Sequence, residues 1–232
     1  MLGVFLVFFA CLLWAFDTLI RYPLIGEGVK PSTIVFLEHL CLCLFFFPVI
    51  IKSFSRFWNA KFSYIFYFVL LGGLGSAVST LCFTRAFSII NPSLVILLQK
   101  LQPIVAIILA RFVLGERIRK NFIYWAVLCL MGGIIISHLQ FFPYIFKIIS
   151  VDVLWKKEDL FGVALALVAV VGWGSATVLG KKLYLLGFND KEIMAGRFLM
   201  GFLFLLPMFF AGEVNIHLEK EQNFKIISKT YK

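Results

Sequence analysis

The sequence predicts an all-α polytopic membrane protein made of inverted five-helix repeats, the first complete and the second cut after two transmembrane helices. Three observations predict it. Hydrophobic residues make up 62% of the chain and charged residues 15%, against roughly 45–50% and 25% in soluble domains. The apolar residues fall into runs of ~20, the length that crosses ~30 Å of hydrocarbon at 1.5 Å per residue. The N-terminal run also recurs after a period that holds five such runs, and an odd number inverts the second copy in the bilayer.

Seven spans are expected, over Leu2–Ile20, Ser32–Ile51, Phe62–Phe83, Pro92–Leu114, Phe122–Leu139, Leu160–Leu179 and Glu192–Ala211. The first lacks a basic n-region and a small-x-small cleavage site and contains Trp14 and Asp17, so it reads as a retained span. Connections such as RYPLIGEGVKP and KSFSRFWNAK are short and polar or broken by Gly and Pro. The longer stretch 140–159 opens with FFPYIFKIIS, which reads either as an interfacial segment or as a plain linker.

The net charge of +10 is spread between apolar runs, where cations set topology and build no nucleic-acid surface. With the N-terminus in the cytoplasm, the inner loops carry ten cations (Lys52, Arg56, Lys61, Arg111, Arg117, Arg119, Lys120, Lys181, Lys182, Lys191). The outer loops carry six (Arg21, Lys30, Arg85, Lys147, Lys156, Lys157), so the bias favours a cytoplasmic N-terminus.

A shift of 159 residues aligns Leu2–Pro48 with Phe161–Pro207 without a gap. Thirteen of those 47 pairs are identical, where chance gives roughly three or four. Gly3/Gly162, Trp14/Trp173, Thr18/Thr177, Gly28/Gly187, Ile34/Ile193 and Pro48/Pro207 are among them. The organisation that follows is a full unit at 2–139, a connection at 140–159, two spans of a second unit at 160–211, and a polar tail at 212–232. The tail's lysines would lie outside in a seven-span protein, against the charge rule. The expectation is therefore a truncated or frame-disrupted second unit or a sequence boundary error, with a natively short protein as the alternative.

The pattern resembles the EamA family of the drug/metabolite transporter superfamily. The resemblance rests on Leu13-Trp14 in span one, its echo Gly172-Trp173-Gly174-Ser175, and the sequence FTRAFSIINPSLVILLQKLQPIVAIILARFVLGERI through spans three and four. In that sequence Arg85-Ala86 closes span three, Pro103 interrupts span four and Gly115-Glu116 ends it. The resemblance implies ten spans in two inverted halves around a central cavity. It also implies a secondary carrier that moves small metabolites or drugs by exchange or ion coupling, by default in a bacterial inner membrane. Two departures stand out: spans eight to ten are missing, and Glu38 occupies the span-two position where the family commonly has arginine, with Arg197 as its repeat partner.

Span four carries the most chemistry. Lys100 near its centre costs ~2.5–3.5 kcal/mol on insertion scales unless a partner or a wet cavity answers it. Glu38, at a similar depth from the outer face, is the named partner, either in a shared polar site for a zwitterion or proton or as a purely structural pair. Gln99 and Gln102 share a face, and Pro103 frees the carbonyl of Gln99. That is the pattern of a substrate-facing broken helix, or of two glutamines joining helices. Trp14 and Trp173, central in their spans, suit a stacking wall for a planar substrate or packing against a neighbour. Arg197 suits an anionic substrate or snorkels to the interface. His39 points ~100° away from Glu38 around its helix, so packing is at least as good a reading as ligand contact.

The substrate-binding candidates are thus Trp14, Glu38, Gln99, Lys100, Gln102, Pro103, Trp173 and Arg197. No catalytic or metal site is expected, because the cysteines sit in apolar runs and His39, His138 and His217 are scattered. No cofactor is expected. The partners expected are a small-molecule substrate, the lipid bilayer and a homodimer that could complete the missing spans, with no nucleic acid. A non-transporting or half-length subunit acting by association is the alternative function, and an intramembrane enzyme lacks a nucleophile or paired carboxylates.

Overall fold

The computed structural model describes residues 2–117, 121, 123–128, 131, 132, 135 and 157–214. Six helices among them are long and apolar enough to cross a membrane, and no strand occurs among the described residues. Parts of the expected fifth span, most of 140–159 and the tail beyond 214 lie outside the described residues, as do Arg119, Lys120, Cys129, His138 and His217.

The chain runs α1 (Leu2–Gly26), α2 (Pro31–Trp58), α3 (Phe62–Val69), a π-helical segment (Leu70–Val78), α4 (Ser79–Phe87), α5 (Pro92–Gln99), α6 (Gln102–Val113), α7 (Lys157–Leu185) and α8 (Asp190–Phe210). The α1–α2 turn passes through Gly28 at φ 87° and the α7–α8 turn through Gly187 at φ 96°, a left-handed conformation that glycine adopts without steric penalty. Pro31 then opens α2, where a missing N–H is harmless. Asn189 opens α8 with a capping box, accepting from the Glu192 N–H while the Glu192 carboxylate accepts from its own.

Helices α3 and α4 with the π segment form one continuous crossing, and the π segment is its widest turn. The N–H of Ser79 donates to the Leu74 carbonyl five residues back, and its hydroxyl donates to the same oxygen at 2.7 Å. Sequence supplies the reason for its place: in LLGGLGSAV five of nine residues are Gly, Ser or Ala, and neighbours come close at Gly72, Gly73 and Gly75. The π segment wedges between α7 and α8, with α2 on the far side of α8 and α6 on the far side of α7.

The contacts are backbone-close. A Cβ on Gly72 would meet the Arg197 carbonyl, the Met200 Cβ and the Gly201 nitrogen, and one on Gly75 would lie 2.8 Å from the Ala176 Cβ. A Cβ on Gly172 would run into the Ser79 hydroxyl, and one on Gly201 would lie 2.7 Å from the His39 ring. Lipid is as apolar as leucine, so such helices associate through close van der Waals packing that only small residues permit. Aromatic clusters flank the crossing: Phe83, Phe87 and Trp173 toward one end, Phe57, Phe68 and Phe188 toward the other.

Gly72→Leu should therefore lower stability by about 1–3 kcal/mol or more through overpacking, whereas Gly26→Ala, with open space around it, should change it by less than about 0.5 kcal/mol. Melting temperatures of the two variants in detergent test this. Equal values would mean that α8 does not cross the π segment at Gly72.

Candidate functional site

The fourth span is broken where the sequence places its polar residues. Pro103 has no N–H to give to the Gln99 carbonyl, and the chain responds with two tighter turns. The Lys100 N–H donates to the Leu97 carbonyl and the Leu101 N–H to that of Leu98, both at 3.0 Å. Helix α5 ends at Gln99 and α6 begins at Gln102. Between them Lys100 is exposed, and the Gln99 Nε2 is buried without a hydrogen-bond partner.

The break faces a cavity of about 780 Å³ between α1, α5, α6 and the segment 123–128. Its lining includes Trp14, Thr18, Gln99, Lys100, Gln102, Pro103 and Trp125. That volume lies within the range of small-molecule sites, and the lining has their composition: mostly apolar and aromatic, with a few polar groups. Trp14 forms one wall, and its ring meets Trp173 edge-on at 6.1 Å between centroids. Trp173 is buried against Phe83, 4.8 Å away, so it backs the wall and is not itself among the lining residues. Lys100 has no ion-pair partner among the described residues.

Glu38 is elsewhere. Its carboxylate accepts from Arg21 Nη2 at 2.9 Å, and the expected Glu38–Lys100 pair is not formed. Arg21, expected in an outer loop, lies inside α1 and is only 5% exposed, because the helix continues six residues past the boundary that hydropathy suggested. Its guanidinium forks onto Asp17 through Nε at 3.0 Å and Nη2 at 2.9 Å. Nη1 donates to the Thr84 hydroxyl at 2.7 Å, and that hydroxyl donates to the Thr80 carbonyl. One cation thus ties α1, α2 and α4 together through charge-assisted bonds, the strong kind. The triad of Arg21, Asp17 and Glu38 carries a formal charge of −1 when both carboxylates are ionised.

The remaining candidates separate. Arg197 lines a second cleft of about 410 Å³ between α7 and α8. His39 is buried in the α2–π contact: its Nδ1 faces the Val35 carbonyl, which can only accept, so in the neutral ring Nε2 accepts from the Ser76 hydroxyl. Packing is its role here. Five of the eight candidates therefore meet at one cavity, and Glu38, Trp173 and Arg197 do not line it.

The comparisons with known proteins identify a family. The EamA-like transporter family matches residues 1–138 and 160–227. The chain belongs to the EamA-like transporter family. It is 31% identical over 188 residues to a riboflavin transporter, ImpX, of Fusobacterium nucleatum subsp. nucleatum. That alignment covers 78% of this chain and 59% of the relative, so the chain spans less than two thirds of the protein it matches. No solved structure matches. Together with its six membrane-length helices, membership makes the chain a multi-pass membrane protein.

Sequence reasoning missed three parts of this arrangement. Trp125 went unremarked in its apolar run, and Thr84 fell one residue past the expected end of span three. Arg21 was the recoverable one, since Asp17 and Arg21 stand four apart on one helix face, the spacing of an intrahelical ion pair. Arg21→Met should lower stability by about 1–3 kcal/mol, less than the 3–5 of a fully buried pair because Asp17 and Glu38 are partly exposed. Adding Asp17→Asn and Glu38→Gln should restore most of it. Thermal melts in detergent decide the matter, and a triple variant no better than Arg21→Met would show that the cost is not an orphaned charge.

Proposed function

We propose that the chain carries a flat, polar-edged small metabolite across a membrane as a secondary carrier, with riboflavin as the first substrate to test. The cavity at the break in the fourth span carries this reading. It pairs an aromatic wall with hydrogen-bonding groups that have no partner among the described residues. Trp14 offers its face for ring stacking, the Gln99 Nε2 has a free donor for a ring carbonyl, and Gln102 can both give and accept. Lys100 supplies a cation toward an electron-rich carbonyl edge, which also answers why a lysine stands in a span. Family membership and the riboflavin transporter similarity support the same class of solute.

The finer architecture is read with it. The two repeat units are inverted, a reading supported by pairs of equivalent features. Gly28 and Gly187 share positive φ, and Pro48 and Pro207 both sit inside helices. The hydroxyls of Thr18 and Thr177 each donate to the carbonyl of the preceding repeat tryptophan. The N-terminus is cytoplasmic and the membrane is the bacterial inner membrane. Taking Arg21 out of the outer loops widens the charge bias behind that orientation.

Uptake of radiolabelled riboflavin into proteoliposomes containing the chain tests this. Saturable uptake is expected, reduced about tenfold or more by Lys100→Ala, which corresponds to about 1.4 kcal/mol. Trp14→Ala should raise KM more than it lowers the maximal rate. Uptake that is absent, or unchanged in Lys100→Ala at equal protein insertion, overturns the assignment.

A further inference from the structure

Several cations of the described spans face an anion or a ring, but Arg197 is the one whose buried nitrogen has no hydrogen-bond partner among the described residues. Arg21 has Asp17 and Glu38, Arg56 has Glu192, Lys181 has Glu116, and Arg85 lies over the Phe161 ring. Arg197 has no hydrogen bond or ion pair within the described residues, and the Glu38 carboxylate reaches it only through its field, without contact. Its Nε is buried and unpartnered, and its only ring contact is its chain neighbour Phe198, 5.7 Å away. A guanidinium seven residues into a membrane-spanning helix is held there only if something answers its charge.

The surroundings show where that something would enter. On α8, Asp190, Ile193, Met194 and Arg197 form one stripe, and on α7 Ala176, Gly180 and Tyr184 form another at four-residue steps. Both line the 410 Å³ cleft, with Thr177, Lys181 and Leu71. The α7–α8 turn lies just past Tyr184 and just before Asp190, so the cleft begins at that turn. Arg197 stands about 10 Å further in, at 1.5 Å per residue. Gly180, with no close neighbour to a Cβ other than Ile193 at 3.9 Å, keeps the middle of the α7 stripe low. Hydroxyls from Thr177 and Tyr184 line the way, and Lys181 stands at the mouth beside Glu116 and Asp190.

We propose that this cleft is a second ligand site, separate from the cavity at Lys100, that takes a small phosphate or carboxylate group onto Arg197 from the α7–α8 turn side. Arginine suits the task, since its planar fork matches both oxyanions with two parallel bonds. The same chemistry is presented by a soluble anion and by an anionic lipid headgroup. The assignment does not depend on which solute the Lys100 cavity carries.

The test uses the purified chain in nanodiscs and reads its melting temperature. In phosphatidylcholine discs, inorganic phosphate should raise the melting point saturably if the source is a soluble anion. If the source is lipid, replacing phosphatidylcholine with phosphatidylglycerol should raise it with no phosphate added. Arg197→Gln should weaken the response about tenfold or more, and Lys100→Gln should leave it unchanged. Should Arg197→Gln fail to fold, Arg197→Lys serves, keeping the charge and losing the fork, with a several-fold weaker response expected. No response in either arm overturns the proposal, as does a response that Arg197→Gln, or Arg197→Lys in its place, leaves at wild-type strength. Loss of riboflavin uptake with the response intact would leave this site standing while removing the transport reading.

Discussion

The contact on which the rest depends is the crossing of the π segment with α7 and α8 through glycine. In water, helices could be held by burying apolar surface. In lipid that gain is absent, and packing has to come from how closely two backbones approach. Gly72 against Gly201, Gly75 against Ala176 and Gly172 against Ser79 give that approach on two sides of one segment. The π geometry belongs with it: a segment with small side chains has few contacts to lose by widening, and Ser79 satisfies the Leu74 carbonyl with both its N–H and its hydroxyl. Helices α2 and α6 then sit outside α8 and α7, and the row of helices that carries both clefts is set.

Charge is placed by a second rule, that an ion in a span needs an answer. Where the protein answers its own ions, the pairs act as ties between helices. Arg56 reaches from the end of α2 to Glu192 and to the Gly187 carbonyl, joining α2 to the turn before α8. Glu192 simultaneously caps its own helix, so one buried carboxylate fixes a helix start and an interhelical contact. Where no ion pair forms among the described residues, at Lys100 and at Arg197, there is a cavity or a cleft. The coincidence of a cation without an ion pair and open space is what separates the two proposed sites from the structural pairs.

Six of the seven expected spans, the turns and the break in span four were legible because each follows from local chemistry: run length, positive-φ glycine, and proline's missing N–H. The fork of Arg21 was half legible. Its partner Asp17 shares its helix, but the helix end was drawn at Ile20, where hydropathy drops, and a buried arginine lowers hydropathy without ending a helix. Glu38 went to Arg21 instead of Lys100 because matching depth says nothing about angular position around two helices. Only the tertiary arrangement fixes that, as it fixes the edge-on meeting of Trp14 with Trp173. Arg197 shows the same limit from the other side: its residue type and depth suggested an anion contact, but its distance from the Lys100 cavity depends on which face of α8 meets α7.

Helix α1 brings these constraints to bear on the cavity. Its hydrophobic residues are largely exposed along its length, and among the described elements it packs chiefly near α4. Shape complementarity therefore does little to fix its rotation. What fixes it is the fork of Arg21 onto Glu38 of α2 and Thr84 of α4, with the Trp14–Trp173 edge contact two turns away. Trp14 and Thr18, which form the α1 wall of the cavity, lie seven and three residues from Arg21 on the same helix. Rotating α1 by one residue, ~100°, would break the fork and carry Trp14 out of the cavity at once. An ion cluster that touches no cavity lining other than through its own helix is thus what orients the aromatic wall, and the carboxylate expected to pair with Lys100 acts on the site by holding the helix that faces it.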